Sequence, residues 1–317
     1  MQTPHFDIIF RGSIEREAKR IANTLEHLYV PVSHTLGSQP PRIPIVLKNS
    51  LAEANGGIYP AGPHRGDFFA FPTQDYNLVG SNEWLSAVLA THEFRHAVQY
   101  AKLRKGLNKL VYYWGGEGAF AAITHWNVPA WFFEGDAVGT ETALTQSGRG
   151  RIPYFLLRYK VNLLERGGFS YFKQTRGSYQ DMLPNHYVVG YLMATHLRRK
   201  YGANAIADIF QETTRPRFFF TAVKNVTERT VTQLYEDTNA ELKALWEKQL
   251  AGLQITPAQP IHTRSKTEEY VDYRYPHLDA AGNCLVYRYG MGTVGHFASI
   301  DKQQGVQHVF TPGMLSH

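Results

Sequence analysis

The hydrophobic period changes twice within the first fifty residues. Residues 6–10 (FDIIF) form a short apolar run that predicts a strand. Ile14, Ala18, Ile21, Ala22, Leu25 and Leu28 then recur at three- and four-residue spacing, which predicts an amphipathic helix with Ser13 as its N-cap. Pro40 and Pro41 interrupt that pattern, and residues 43–47 (IPIVL) predict a second strand. The Gly/Pro-rich stretch 56–66 reads as loop, and residues 67–71 (DFFAF) as a third strand. From Ser81 the helical period returns. Trp84, Val88, Leu89, Phe94, Ala97 and Val98 outline a helix capped by Ser81 or Asn82 and reaching about Leu103. Beyond that helix, Gly106, Gly115, Gly116 and Gly118 read as breaks in the chain. Further helices are predicted over 129–144, 154–164, 186–201, 203–210 and 231–250, with Gly202 suited to a C′ position.

Near Thr256 the character shifts. Pro257, Pro260 and the polar run HTRSKTEE read as a linker, and four short strands are predicted after it, over 270–273, 284–289, 296–300 and 307–310, with turns at 279–283 and 302–305. The expected architecture is therefore α+β. A small N-terminal sheet and a mainly helical half occupy 1–252, a linker spans 253–268, and an all-β segment spans 269–317.

Composition narrows the function classes. A chain of 317 residues with 43% apolar residues can bury a sizeable core. No window approaches 18 consecutive apolar residues, so no membrane-spanning helix is predicted. The start, MQTPHFDIIF, lacks a charged region followed by an apolar one and does not read as a signal peptide. The single cysteine, Cys284, excludes an intrachain disulfide and a thiolate-rich metal site. A formal charge of +6 is modest for this length and argues against nucleic acid as a partner. The densest basic run, 102–109 (KLRKGLNK), reads as the solvated end of a helix, where cations suit the dipole.

The chemistry concentrates in His92-Glu93-Phe94-Arg95-His96. Residues four apart share a helix face, so both imidazoles can reach one ion, and Glu93 lands beside it without ligating it. Zn²⁺ in a catalytic site takes three protein ligands and a water, and a neighbouring carboxylate can accept that water's proton. A second segment, PAWFFEGDAVGTE over 129–141, combines a proline at a helix start, apolar Trp131, Phe132 and Phe133, and then Glu134. Gly135 is small enough to let this helix approach another closely. Glu141 lies seven residues on and shares Glu134's face.

HEFRH followed by PAWFFEGDA resembles the gluzincin metallopeptidases, particularly peptidase-MA-like bacterial proteins with HExxH and then P-x-W-x-x-E-G-x-A. The resemblance covers roughly residues 1–250. It implies a thermolysin-like fold, zinc-dependent hydrolysis of a peptide or protein substrate, and an extracytoplasmic (periplasmic or secreted) setting. By that resemblance His92, His96 and Glu134 are the zinc ligands and Glu93 the general base. The gap of 38 residues between His96 and Glu134 is longer than in compact members, and the Gly-rich insert around 114–120 accounts for the extra length. Related enzymes use a tyrosine or histidine on a later helix to stabilise the oxyanion, which here points to Tyr187, with His186 and Tyr191 as substitutes. Glu141 has two readings, a carboxylate that orients His92 or His96 through the free ring N–H or a solvated helix charge. Asp136 has the same two, and the exposed one is favoured. His64 and His125 are not counted as ligands. Residues 275–313 resemble one blade of a TolB-type β-propeller. One blade cannot close a ring, so the segment is either the start of a longer propeller or a small sheet packed on the peptidase. Two other functions fit the pattern: a catalytically silent relative that binds zinc or peptide, and a scaffold whose propeller binds partners. An intact Glu93 argues against the silent form.

Overall fold

The computed structural model describes residues 1–50, 54–71, 84–254, 256–258, 270–301 and 305–313. Strands β1 (Phe6–Ile9), β2 (Ile43–Lys48), β3 (Gly56–Tyr59) and β4 (Arg65–Phe69) form one sheet in the order β1-β2-β4-β3. β1, β2 and β4 are parallel, and β3 closes the edge antiparallel to β4. Alternation sets the register: Phe6, Ile8, Ile43, Ile45 and Leu47 are buried while their neighbours are less so.

Helix α1 (Glu15–His34) buries Ala18, Ile21, Ala22, Leu25, Leu28 and Val32 along one stripe. The predicted Ser13 cap is not made. Ser13 sits in a short 3₁₀ turn, and its hydroxyl accepts a hydrogen bond from Asn49 Nδ2. Helix α2 (Ala90–Leu103) continues from a π-helical turn over Trp84–Leu89; the caps expected at Ser81 or Asn82 lie outside the described residues. Phe94 joins α2 to the sheet and α1 by packing edge-on to Phe6 and stacking on Tyr29. Burying such a side chain contributes roughly 1.5–3 kcal/mol.

The glycines mislead in two places. Residues 56–59 form a strand instead of loop, because β3 pairs with β4 through backbone groups and needs no side chains: Gly56 lies opposite Phe68 and Gly57 opposite Asp67. The third strand accordingly begins earlier than expected, at Arg65. Helix α3 (Gly106–Asn127) runs through Gly115 and Gly118 and only kinks at Gly116, where φ is 69°.

Helix α4 (Ala130–Leu144) lies between α2 and α7 (His186–Tyr201). Around them sit α5 (Pro153–Arg166), α6 (Tyr171–Arg176), α8 (Ala205–Thr213), α9 (Phe219–Thr227) and α10 (Val231–Ala251). α6 is only six residues long, too short for a period to stand out in sequence, whereas α9 carries Phe219, Ala222, Val223 and Val226 at helical spacing, a signal that sequence reasoning passes over. α10 opens with a capping box between Thr230 and Gln233. No described helix is long and apolar enough to cross a membrane.

Strands β5 (Val271–Leu278), β6 (Cys284–Gly290), β7 (Thr293–Asp301) and β8 (Gly305–Phe310) form a separate antiparallel meander. Its core is small, centred on Cys284, Val286, Ala298 and Ile300. Among the described residues it is one open sheet, with no propeller or barrel. It docks on α5 through Arg158, whose Nη2 lies 2.8 Å from Asp272 Oδ2.

The tightest crossing joins α4 to α7 at Gly135 and Gly190. A Cβ on Gly135 would fall 2.2 Å from the Gly190 carbonyl, and one on Gly190 would fall 2.1 Å from the Trp131 oxygen. Both obstacles are backbone, so neither can rotate away. Gly135→Ala and Gly190→Ala should each lower the unfolding free energy by about 1–3 kcal/mol in urea titrations. Gly12→Ala, where nothing lies within 4 Å, should leave the midpoint nearly unchanged. Equal midpoints for all three variants would contradict this packing.

Candidate metal centre

Helix α2 presents His92 and His96 one turn apart on the face that meets α4, and α4 presents Glu134 to both. His92 Nε2 and His96 Nε2 are 3.2 Å apart, and Glu134 Oε2 lies 3.0 Å from the first and 3.3 Å from the second. Ligand atoms on a tetrahedral ion with arms of about 2.0–2.1 Å are separated by roughly 3.3 Å. The three donors thus have the spacing a small divalent cation requires, and they form the one such His/Cys/Asp/Glu group among the described residues.

The far side of each ring supports this assignment. His92 Nδ1 lies 2.8 Å from Glu141 Oε2, and His96 Nδ1 lies 2.8 Å from Gln99 Oε1. A ring N–H donated to each of these acceptors leaves the Nε2 lone pairs pointing inward. Arg149 Nη2 is also 2.7 Å from His92 Nδ1, but it donates to Glu141 Oε2 at 2.9 Å, while Arg149 Nε donates to Oε1 at 2.8 Å. Glu141 accepts from Arg149, and the tautomer with its proton on His92 Nδ1 is the one in which the carboxylate also accepts from the ring and Nε2 is free for a cation. Burial alone would raise the Glu141 pKa; Arg149 and the His92 contact instead bring it down to about 2. Of its two sequence readings, the solvated one is excluded, because Glu141 is fully buried.

Asp136 is a correction. The sequence pattern favours the surface for it, yet it is fully buried, like its partner Arg95. Arg95 Nε and Nη2 donate to the two Asp136 oxygens at 2.7 and 2.9 Å, Gln99 Nε2 donates to Oδ2 at 2.7 Å, and Arg198 donates from the side of α7. Burial would push this carboxyl up, but the Arg95 and Arg198 charges hold it below the usual carboxylate range. Gln99 also donates to the Phe133 carbonyl, so a single side chain ties His96, α4 and the ion pair together. Sequence reasoning passes over Gln99, Arg95 and Arg149. Gln99 carries a signal, since it is seven residues from His92 and shares its face. Arg149, in a polar loop, carries none.

A cavity of about 180 Å³ opens on these donors, lined also by Gly56, Gly57, Ile58, Glu93 and Tyr187. Glu93 is buried, and its Oε2 accepts a hydrogen bond from the Ile58 N–H of edge strand β3 at 3.1 Å. Tyr187 stacks on His92 with ring centroids 6.2 Å apart. Burial, then the Glu134 charge, pushes its phenol well above the usual tyrosine range. The other two donor candidates lie elsewhere: His186 lines a separate pocket with Pro129 and Trp131, and Tyr191 packs against Phe155. His125 lines the cavity but is engaged with the Tyr100 hydroxyl at 3.1 Å. His64 lines another pocket, with Tyr112 and Phe120.

No protein-family model matches this chain, and no curated protein is significantly similar to it.

Burial opposes a charge on either imidazole, and the Arg149 charge opposes it at His92, but Glu134 and Glu141 outweigh both there and raise its pKa, while Glu134 chiefly raises that of His96 to about 9. A cation entering the site therefore displaces protons. The sign is fixed: below the raised pKa the proton competes, so affinity increases with pH and levels off above about 9. Zinc titrations of chelator-treated protein between pH 6 and 8 should show one equivalent bound. Affinity should rise by about tenfold per pH unit for each proton released. His92→Ala, His96→Ala and Glu134→Ala should abolish the binding, and Glu141→Ala should weaken it by about 10–100-fold. Affinity that is flat with pH, or full binding by Glu134→Ala, would remove these residues from the site.

Proposed function

We propose that the chain is a zinc-dependent metallopeptidase of the gluzincin type. His92, His96 and Glu134 hold the ion in this reading, and Glu93 is the general base. The observation that carries it is the convergence of three donor atoms, 3.0–3.3 Å apart, in one cavity with a buried carboxylate that is not among them. Two imidazoles, a carboxylate and no thiolate suit Zn²⁺. When bound, the ion supplies a water of lowered pKa and an electrophilic partner for a carbonyl oxygen.

The chain's own groups supply the rest. Glu93 accepts the proton of the attacking water and returns it to the departing amine. Its bond to the Ile58 N–H fixes the orientation of the carboxylate before substrate arrives. Tyr187, like any phenol, is protonated at neutral pH, and burial and the Glu134 charge raise its pKa further, so it is available as a donor to the oxyanion as charge develops. β3 is the edge strand beside Glu93, which suits an extended peptide pairing along it.

The test is hydrolysis of a broad peptide library with and without chelator. Wild-type protein should cleave, and chelator should abolish cleavage. Glu93→Gln should keep its zinc and lose nearly all turnover, because an amide cannot accept the proton. Tyr187→Phe should lower kcat by about 10²–10³ with little change in KM, the pattern of a contact made only in the transition state. Unimpaired turnover by Glu93→Gln would refute the mechanism, and a wild-type chain inert on every peptide would favour a silent binding protein.

A further inference from the structure

Helix α3 is rich in apolar residues yet buries few of them: Asn108, Phe120 and Thr124 are its buried residues. The kink at Gly116 divides it into two arms. Tyr112 of the first arm packs edge-on against Phe120 of the second, with ring centroids 6.2 Å apart. Both outer ends meet the loop before α9. The Leu107 N–H donates to the Thr214 carbonyl at 2.8 Å, and Asn127 Nδ2 donates to the Arg217 carbonyl at 3.1 Å. Thr214 and Arg217 are three residues apart in the chain, so the two ends are close together and the kink is the far tip of a helical hairpin.

That tip is apolar and open to solvent. Trp114 is 92% exposed, Tyr113 69% and Leu110 57%. Leu107, Leu110 and Trp114 recur at three- and four-residue spacing, so they form one stripe along the first arm. Trp126, near the end of the second arm, is exposed as well and meets the exposed Phe218 edge-on at 5.5 Å. The chain has five tryptophans; Trp84, Trp131 and Trp246 are buried, and the two on α3 are not. Single apolar side chains are ordinary on a surface, whereas a contiguous group of them marks an interaction site.

Charge selects the partner. From Ala97 to Gly116 the sequence carries Lys102, Arg104, Lys105 and Lys109 and no acidic residue. Lys109 Nζ stands 5.7 Å from the centre of the Tyr113 ring, so cation and aromatic share one face. Glu117, just past the kink, accepts from the His64 N–H at 3.1 Å. Arg215 and Arg217, on the adjoining loop, are already paired with Glu212 and add little to the basic run. Tryptophan and tyrosine beside lysine suit a lipid headgroup layer, where the rings enter the boundary and the ammonium groups meet phosphate. A second copy of this chain on the same face would set two basic runs against each other.

We propose that the α3 hairpin docks the protein on an anionic lipid surface, with Leu110, Tyr113 and Trp114 entering the headgroup layer and Lys105 and Lys109 meeting lipid phosphates. The proposal is independent of the peptidase reading.

The experiment mixes the full chain with vesicles of phosphatidylcholine, alone or with phosphatidylglycerol, and reads binding by co-sedimentation and by tryptophan emission. The chain should bind the anionic vesicles about tenfold tighter than the neutral ones, lose that gain as salt approaches about 1 M, and shift its emission to the blue. Trp114→Ala should weaken binding about tenfold and remove most of the shift. Lys105→Gln combined with Lys109→Gln should weaken binding to anionic vesicles about tenfold and leave the neutral ones unaffected. All three side chains are exposed, so thermal midpoints should stay at the wild-type value. Tyr179→Ala, at a fully exposed ring elsewhere, should bind like wild type. Equal binding to neutral and anionic vesicles, or full binding by Trp114→Ala, overturns the proposal. Absence of vesicle binding overturns it too, and a dimer in solution that Trp114→Ala dissociates would then assign the face to a second copy.

Discussion

Arg95 and Asp136 meet in the fully buried seam between α2 and α4, and the geometry of the metal centre depends on that contact. Arg95 stands between Glu93 and His96, and Asp136 stands two residues beyond Glu134, so the turns that carry the ion pair are the turns that carry the ligands. Gln99 extends the connection by donating to Asp136 while accepting from the His96 ring. Two charges taken out of water are worth keeping only when both are well paired; removing one partner typically costs about 3–5 kcal/mol because the other is left uncompensated. The pair holds two helices at one offset, and at that offset three donor atoms coincide.

Much of this is legible in sequence, for identifiable reasons. His92, Glu93 and His96 can be placed together because helical spacing is rigid over four residues. Strands β1 and β2 announce themselves by alternation and apolar runs, and α4 by its proline start and aromatic burial. The features that stay hidden depend on partners distant in the chain. Asp136 reads as a surface charge until Arg95 and Arg198 arrive from two other helices. Arg149 reads as a loop cation until the loop folds back on Glu141. The glycines at 56, 57, 115 and 118 read as breaks because a sequence offers only local propensity to weigh. Pairing with β4 overrides it at 56 and 57, and the helix runs on through 115 and 118.

The C-terminal sheet shows the same dependence on context. Its strands are visible in sequence, but their role is not, since a four-stranded meander with so small a core needs a surface to pack on. The Arg158–Asp272 contact supplies one and sets β5 against a second cavity that Tyr187 also lines. The helical half thus contributes the candidate metal ligands, and the sheet borders the space next to them.

The central claim is that α2 and α4 build one cation site from two imidazoles and one carboxylate. X-ray absorption at the zinc edge of the purified, zinc-loaded chain tests it most directly. The account predicts a four- or five-coordinate ion with nitrogen and oxygen neighbours at about 2.0–2.2 Å, the outer-shell scattering of two imidazoles, and no sulfur. A spectrum showing sulfur, a single imidazole or an all-oxygen shell would contradict it.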